Sequence, residues 1–288
     1  MKKSLILLSS LPIILSSCSK GEDNSRVIYA TFFPIYDMAR KIAGDKYEVK
    51  CLTPYGQEPH DYEPTAKEIA GMVSSPALLL NGIGLDKWSE SLPDELKKKS
   101  HIVTQGIAIK EIDGVKDPHV WLSVKNAMTE LLNIKNTLVE IDPENKNYYE
   151  ANYEEERNRF AELDEKYTSE LQQVKNKYLV VSHAAFGYLT SDYGLEQIYI
   201  AGLEPDAAPT AKKMEELIEK VKEYHVSTIF YEETVSPQIA KKIAQEAEVK
   251  TDTLFTLESI EEGEDADYVS LMEVNLAKIV KACNDDSL

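Results

Sequence analysis

The stretch KYLVVSHAAFGYLTSDYGLEQIYI, residues 177–200, decides the fold. Its apolar run over 178–182 reads as a buried strand, residues 184–192 carry helical spacing, and a second strand follows over 197–200, past Gly194. Strand, helix and strand in such close succession mark a parallel α/β layer architecture. Toward the C-terminus the alternation continues, with a helix over 210–224, a strand over 228–231, a helix over 237–247, a strand over 251–255 and a last helix over 267–282. Toward the N-terminus the same grammar covers 27–104. Strands are expected over 27–32, 47–53, 77–81 and 101–104, and helices over 35–43, 65–73 and 87–98, the last interrupted at Pro93. Each half therefore carries about four β/α units, so the expected fold class is α/β, two similar lobes with mainly parallel sheets.

The segment between the halves is helical throughout. From Ser123, an N-cap, apolar residues recur at Ala127, Leu131, Ile134, Leu138 and Ile141. Asp142-Pro143 restarts the register, and Tyr149, Tyr153, Phe160, Leu163, Tyr167, Leu171 and Val174 keep one apolar face as far as Asn176. A helix over 143–176 would extend about 50 Å, more than one small lobe needs. It reads as a rigid strut, since its narrow aromatic face is unlike a Leu/Ile coiled-coil seam. The organisation expected is an N-terminal lobe over 26–142, the linking helix over 143–176 and a C-terminal lobe over 177–288.

Residues 1–25 stand apart. Lys2 and Lys3 precede an apolar run over 5–15, then Ser16, Ser17 and Cys18. This is a secretory leader, too short to cross a bilayer that needs about 20 helical residues. Leu15-Ser16-Ser17-Cys18 resembles a bacterial lipobox, so residues 1–17 are expected to be removed and Cys18 lipidated, with 18–25 a flexible tether. The chain is then expected on the extracytoplasmic face of a bacterial membrane.

Composition narrows the function. Fifty acidic against 32 basic residues give a net charge of −18, which argues against nucleic acid and is compatible with gathering cations. The two cysteines beyond Cys18, Cys51 and Cys283, are compatible with a disulfide or with two independent thiols; no CxxC occurs. Of five histidines, His60, His119 and His183 fall in loops after expected strands, where open α/β sheets bind ligands. Three imidazoles converging from two lobes would hold zinc with one further group, and a carboxylate is the natural choice. Near strand ends of the second lobe the candidates are Glu232, Glu233, Asp252, Glu258 and Glu261. Asp252 lies inside an expected strand, while Glu232 and Glu233 are assigned to charge complementation of the helix starting near Pro237. His101 and His225 are read as surface or hydrogen-bonded residues, and the acidic runs 154–156 and 261–265 as solvated.

Several local sequences resemble one family, the metal-binding substrate-binding lipoproteins of zinc and manganese ABC importers. They are Phe33-Pro34-Ile35-Tyr36 with Ile42-Ala43-Gly44-Asp45, Glu58-Pro59-His60-Asp61-Tyr62-Glu63-Pro64-Thr65, and Asn81-Gly82-Ile83-Gly84-Leu85. Further on come Asp117-Pro118-His119-Val120-Trp121-Leu122-Ser123 and Ser182-His183-Ala184-Ala185-Phe186-Gly187-Tyr188. The resemblance covers essentially the whole chain after the leader. It implies two lobes joined by one long rigid helix and a buried metal in the cleft, held by His60 and His119 from the first lobe and His183 from the second. Glu258 resembles the position where relatives place an acidic ligand; a water or another carboxylate is the alternative.

Zinc-favouring members have His in the third motif, as here, where manganese-favouring members commonly have Glu. Three nitrogens suit tetrahedral zinc, whereas manganese prefers more oxygens. The His-rich loop common in zinc-specific members is absent, which weakens the zinc assignment without reversing it. The implied protein is a monomer, not an enzyme, that delivers zinc to an importer permease; manganese is the alternative cargo. A zinc-dependent hydrolase is disfavoured because no HExxH occurs and a fourth protein ligand would close the site. A secondary role in cell adhesion is left open.

Overall fold

The computed structural model describes residues 24–204, 209–232, 236–259 and 267–285. The leader, Cys18, most of the tether, Glu233 and the acidic run from Glu261 lie outside them. In the first lobe β1 (Val27–Ala30), α1 (Phe33–Ala43), β2 (Glu48–Cys51), α2 (Ala66–Ser74), β3 (Leu78–Leu80), α3 (Asp94–Lys97) and β4 (Ser100–Ile102) follow one another. A hairpin, β5 (Glu111–Ile112) and β6 (Val115–Lys116), precedes α4 (Val124–Ile141) and the long α5 (Lys146–Gln172). The second lobe comprises β7 (Tyr178–Val181), α6 (Gly187–Asp192), β8 (Glu196–Tyr199), α7 (Ala211–Glu223), β9 (Thr228–Tyr231), α8 (Gln238–Ala247), β10 (Lys250–Thr253) and α9 (Tyr268–Cys283).

Both sheets are four-stranded and wholly parallel, ordered β2-β1-β3-β4 and β10-β9-β7-β8. Numbered within its own lobe, each sheet runs 2-1-3-4, so the lobes repeat one topology. Each has a switch point between its first and third strands, where ligands bind at the carboxyl ends.

The lobes are not two separate cores on a rod. One buried cluster runs from Ile28, Phe32 and Ile35 through Trp121, Phe160 and Tyr167 to Phe230, Tyr268 and Met272. Two smaller clusters fill the outer layers, around Leu78 in the first lobe and Ile229 in the second. Polar joints reinforce the seam: Lys41 and Arg159 both reach Asp267, the N-cap of α9, and Asp37 accepts from the Tyr268 N–H.

Several expectations change in detail. The strut begins with a single 3-10 turn at Pro143–Asn145, and its α-helix stops at Gln172 rather than Asn176, giving roughly 40 Å. Lys177 ends it by donating to the carbonyls of Leu171 and Gln172. Glu156, in an acidic run read as solvated, is buried beside Arg159. The hairpin was not expected, although Asp113-Gly114, with φ of 53° and 80°, supplies the left-handed pair such a turn requires. Helix α6 starts three residues later than the spacing predicts, because residues 183–186 turn to present His183. Among the described residues Cys51 and Cys283 are unpaired, and each thiol is raised by burial, to about 12 and about 11 respectively.

Candidate metal centre

His60, His119, His183 and Glu258 meet at the seam between the lobes, with one ligand-type atom from each lying within 4.8 Å of all the others. Each arrives by a different local device. His60 sits in a 3-10 turn, Pro59–Asp61, started by proline and closed by the Tyr62 N–H on the Pro59 carbonyl. His119 does not follow β4 directly; it lies past the hairpin, where Asn81 donates to the Pro118 carbonyl and Tyr188, from the other lobe, to the Asp117 carbonyl. His183 stands two residues beyond β7, beside the second lobe's switch point. Glu258 follows β10 and has a fully buried side chain.

The distances have the scale of a coordination tetrahedron. His60 Nε2 is 3.1 Å from His119 Nε2 and 3.0 Å from Glu258 Oε1, and His119 Nε2 is 3.2 Å from His183 Nε2 and 3.3 Å from Glu258 Oε1. A zinc ion bound at about 2.0–2.1 Å would place its ligand atoms roughly 3.3–3.4 Å apart.

The rear faces of two rings fix which nitrogen is free. Asp117 Oδ1 accepts from His119 Nδ1 at 2.7 Å, and Glu232 Oε1 accepts from both His183 Nδ1 and the Ser182 hydroxyl. With Nδ1 donating to a carboxylate, the neutral ring keeps its lone pair on Nε2. In that neutral form the Nε2 lone pairs of His119 and His183 would face each other across 3.2 Å, a contact that either a proton on His119 or a shared metal cation relieves. The donor set fits a metal ion: four ligand-type atoms converge, and the bracing carboxylates leave Nε2 of His119 and His183 as the coordinating nitrogens.

Charge follows the same geometry. Burial by itself would lower the His119 imidazole, but the hydrogen bonds and charges of Asp117 and Glu258 prevail and lift it to about 9. Burial by itself would raise Glu258, yet the hydrogen bonds from His119 and His60 hold its carboxyl well below the usual range. Of the four side chains only that of His60 retains measurable exposure, at 8%, so the site opens to solvent past His60.

Glu232 is reassigned. It is 2% exposed and braces His183 rather than complementing the helix near Pro237. Asp252 lies within β10, 3.5 Å from Lys278, away from the cluster. His101 is half-buried in β4, and His225 follows α7 with φ of 50°.

Comparison with known proteins gives a consistent match. The family profile described as "Zinc-uptake complex component A periplasmic" matches residues 28–282. "Zinc-binding lipoprotein AdcA" of Streptococcus pneumoniae R6 is 37% identical over 99% of this chain, and the chain spans 62% of that relative's length. "High-affinity zinc uptake system protein ZnuA" of Bacillus subtilis 168 is 32% identical over 94% of both chains. The crystal structure of the Zn(II)-bound ZnuA-like domain of S. pneumoniae AdcA superposes with a TM-score of 0.80 at 36% identity, covering 90% of this chain and 99% of that one.

Proposed function

The chain belongs to the family of periplasmic zinc-uptake component A proteins, and from that premise we propose that it captures zinc outside the cytoplasm and delivers it to an ABC importer. The observation that carries this reading is the buried convergence of three imidazole nitrogens and one carboxylate oxygen at tetrahedral spacing. His60, His119, His183 and Glu258 are the proposed ligands, two from each lobe. Zinc is cargo here, so the site must bind tightly yet release.

Three nitrogens and one oxygen favour zinc over manganese, which takes more oxygen ligands at higher coordination number. The ligand carboxylate and the two bracing carboxylates offset the ion's charge in a buried place, where an uncompensated cation would be costly. A fourth protein ligand leaves no open position for an activated water, so the geometry favours carriage over hydrolysis.

The leader and Cys18 support an extracytoplasmic, lipid-tethered location, the proposed organisation is an N-terminal lobe over 26–142, a linking segment over 143–176 and a C-terminal lobe over 177–288, and the partner is the importer's permease. Elemental analysis of protein purified from mixed-metal medium tests the cargo, with zinc expected at one per chain and manganese displaced by it. A preparation that prefers manganese, or shows no saturable site, overturns the assignment. Cys18→Ala should leave the protein metal-competent and move it from the membrane to the soluble fraction.

A further inference from the structure

Glu258 sits on a turn that its own lobe does not hold alone. Leu257, immediately before it, has φ of 59° and is 1% exposed, a left-handed conformation that costs a branched non-glycine residue energy. Such a residue persists only where its surroundings over-determine it. On the strand side, Asn275 of α9 pins the chain by accepting from the Phe255 N–H and donating to the Phe255 carbonyl. The next two fastenings come from the first lobe. The Trp121 indole N–H donates to the Thr256 carbonyl at 2.7 Å, and Ser259 Oγ accepts from the Gly56 N–H at 2.6 Å.

Trp121 is itself fixed. It is fully buried two residues beyond His119, its ring lies edge-on to Phe32 with centroids 4.6 Å apart, and its carbonyl accepts from the Tyr268 hydroxyl at 2.6 Å. The path from His119 to Trp121, across the seam to Thr256 and on to Glu258 is thus a short covalent and hydrogen-bonded connection between a ligand of one lobe and a ligand of the other.

We infer that Trp121 is a positioning residue for the fourth ligand: its indole N–H holds the strained Thr256-Leu257-Glu258 turn so that the Glu258 carboxylate is in place before metal arrives. The inference rests on the zinc-carrying reading of the same site. Pre-organisation of this kind raises affinity by removing an ordering cost from the binding step. It also fixes coordination number, since a fourth ligand already at tetrahedral distance leaves no room for added water. Ser259 secures the far side of the turn by a solvent-exposed bond, so its contribution should be the smaller of the two.

The test uses the full chain, Trp121→Phe and Ser259→Ala, with zinc affinity measured against a competing chelator and the visible spectrum recorded with Co2+. Four-coordinate Co2+ absorbs strongly and loses intensity as coordination expands, so the spectrum reads ligand geometry rather than fold. Trp121→Phe keeps an aromatic ring and removes the N–H. It should raise the zinc Kd about tenfold, a change of about 1.4 kcal/mol, and weaken the cobalt band. An unaltered Kd, or a raised Kd with an unchanged spectrum per bound ion, overturns the inference, because a merely structural tryptophan gives the latter. If Trp121→Phe does not fold, Ser259→Ala decides: a Kd raised about threefold with a weakened cobalt band supports the inference, and wild-type values overturn it. Failure of the wild-type chain to bind either ion would instead overturn the zinc-carrying reading itself.

Discussion

Asp117 Oδ1 accepts two hydrogen bonds from one residue, the backbone N–H of His119 at 3.0 Å and its ring Nδ1 at 2.7 Å. A single oxygen thereby fixes both the chain and the ring, and leaves Nε2 facing the site. Glu232, just beyond the neighbouring strand β9, braces the His183 ring and the adjacent Ser182 hydroxyl through one oxygen.

Removing either brace should therefore weaken metal binding without touching a ligand atom. Asp117→Asn and Glu232→Gln are each expected to raise the zinc Kd by about 10- to 100-fold. Competition titration checks this, and an unchanged Kd in both would show that the carboxylates do not orient the rings.

Zinc binding should release protons. His119 lifted to about 9 means that the metal-free ring is mainly protonated at neutral pH, so the ion must displace a proton. Affinity is expected to rise with pH up to about 9. The same shift stabilises the metal-free fold, fully below the unfolded imidazole's value of about 6.5 and less and less as pH rises toward 9. Calorimetric titration in buffers of different ionisation enthalpy measures the release, and buffer-independent heats would contradict it.

The fold also carries a buried carboxyl unrelated to the metal. Glu130 of α4 is fully buried, neither side-chain oxygen has a hydrogen-bond partner among the described residues, and burial raises it to about 8. Between about 4.5 and 8 the folded chain holds a proton that the unfolded chain has lost, so stability falls as pH rises through that window. Glu130→Leu should raise stability at pH 8 by about 1–3 kcal/mol and flatten that decline. Denaturant titrations at pH 5 and 8 test it; a destabilised variant at pH 8 would be the contrary result.

At the seam, Lys41, Arg159 and Asp267 join α1, α5 and α9. Asp267→Asn keeps a good N-cap for α9 while removing the charge, so it isolates the ion pairs. With the Asp267 side chain 21% exposed, a loss of about 1–2 kcal/mol is expected. Lys41 and Arg159 hold this carboxyl well down against the opposing effect of burial, so wild type should lose the advantage only under strong acid. Equal unfolding midpoints for the two proteins at pH 7 would contradict the assignment.

The α/β alternation, the long helix and the three candidate histidines were legible in the sequence because they rest on local signals: apolar periodicity, Gly and Pro punctuation, and placement in loops beyond strands, although a hairpin separates His119 from β4. Glu232 was not, since its role depends on β9 lying next to β7, and that order comes from sheet topology. Trp121 was visible only as part of a motif, because its hydrogen bond spans 135 positions. The hairpin is different: Asp113-Gly114 carries a strong turn signal, but strands of two residues give no alternation to find. Glu156 reads as solvated within its acidic run and no local signal marks Glu130, because helix packing is what places both inside.

The central claim is that zinc is held by His60, His119, His183 and Glu258, and X-ray absorption at the zinc edge on the loaded protein tests it most directly. The account predicts a four-coordinate shell of three imidazole nitrogens and one oxygen at about 2.0–2.1 Å. A sulfur shell near 2.3 Å, or six oxygens at longer distance, would contradict it.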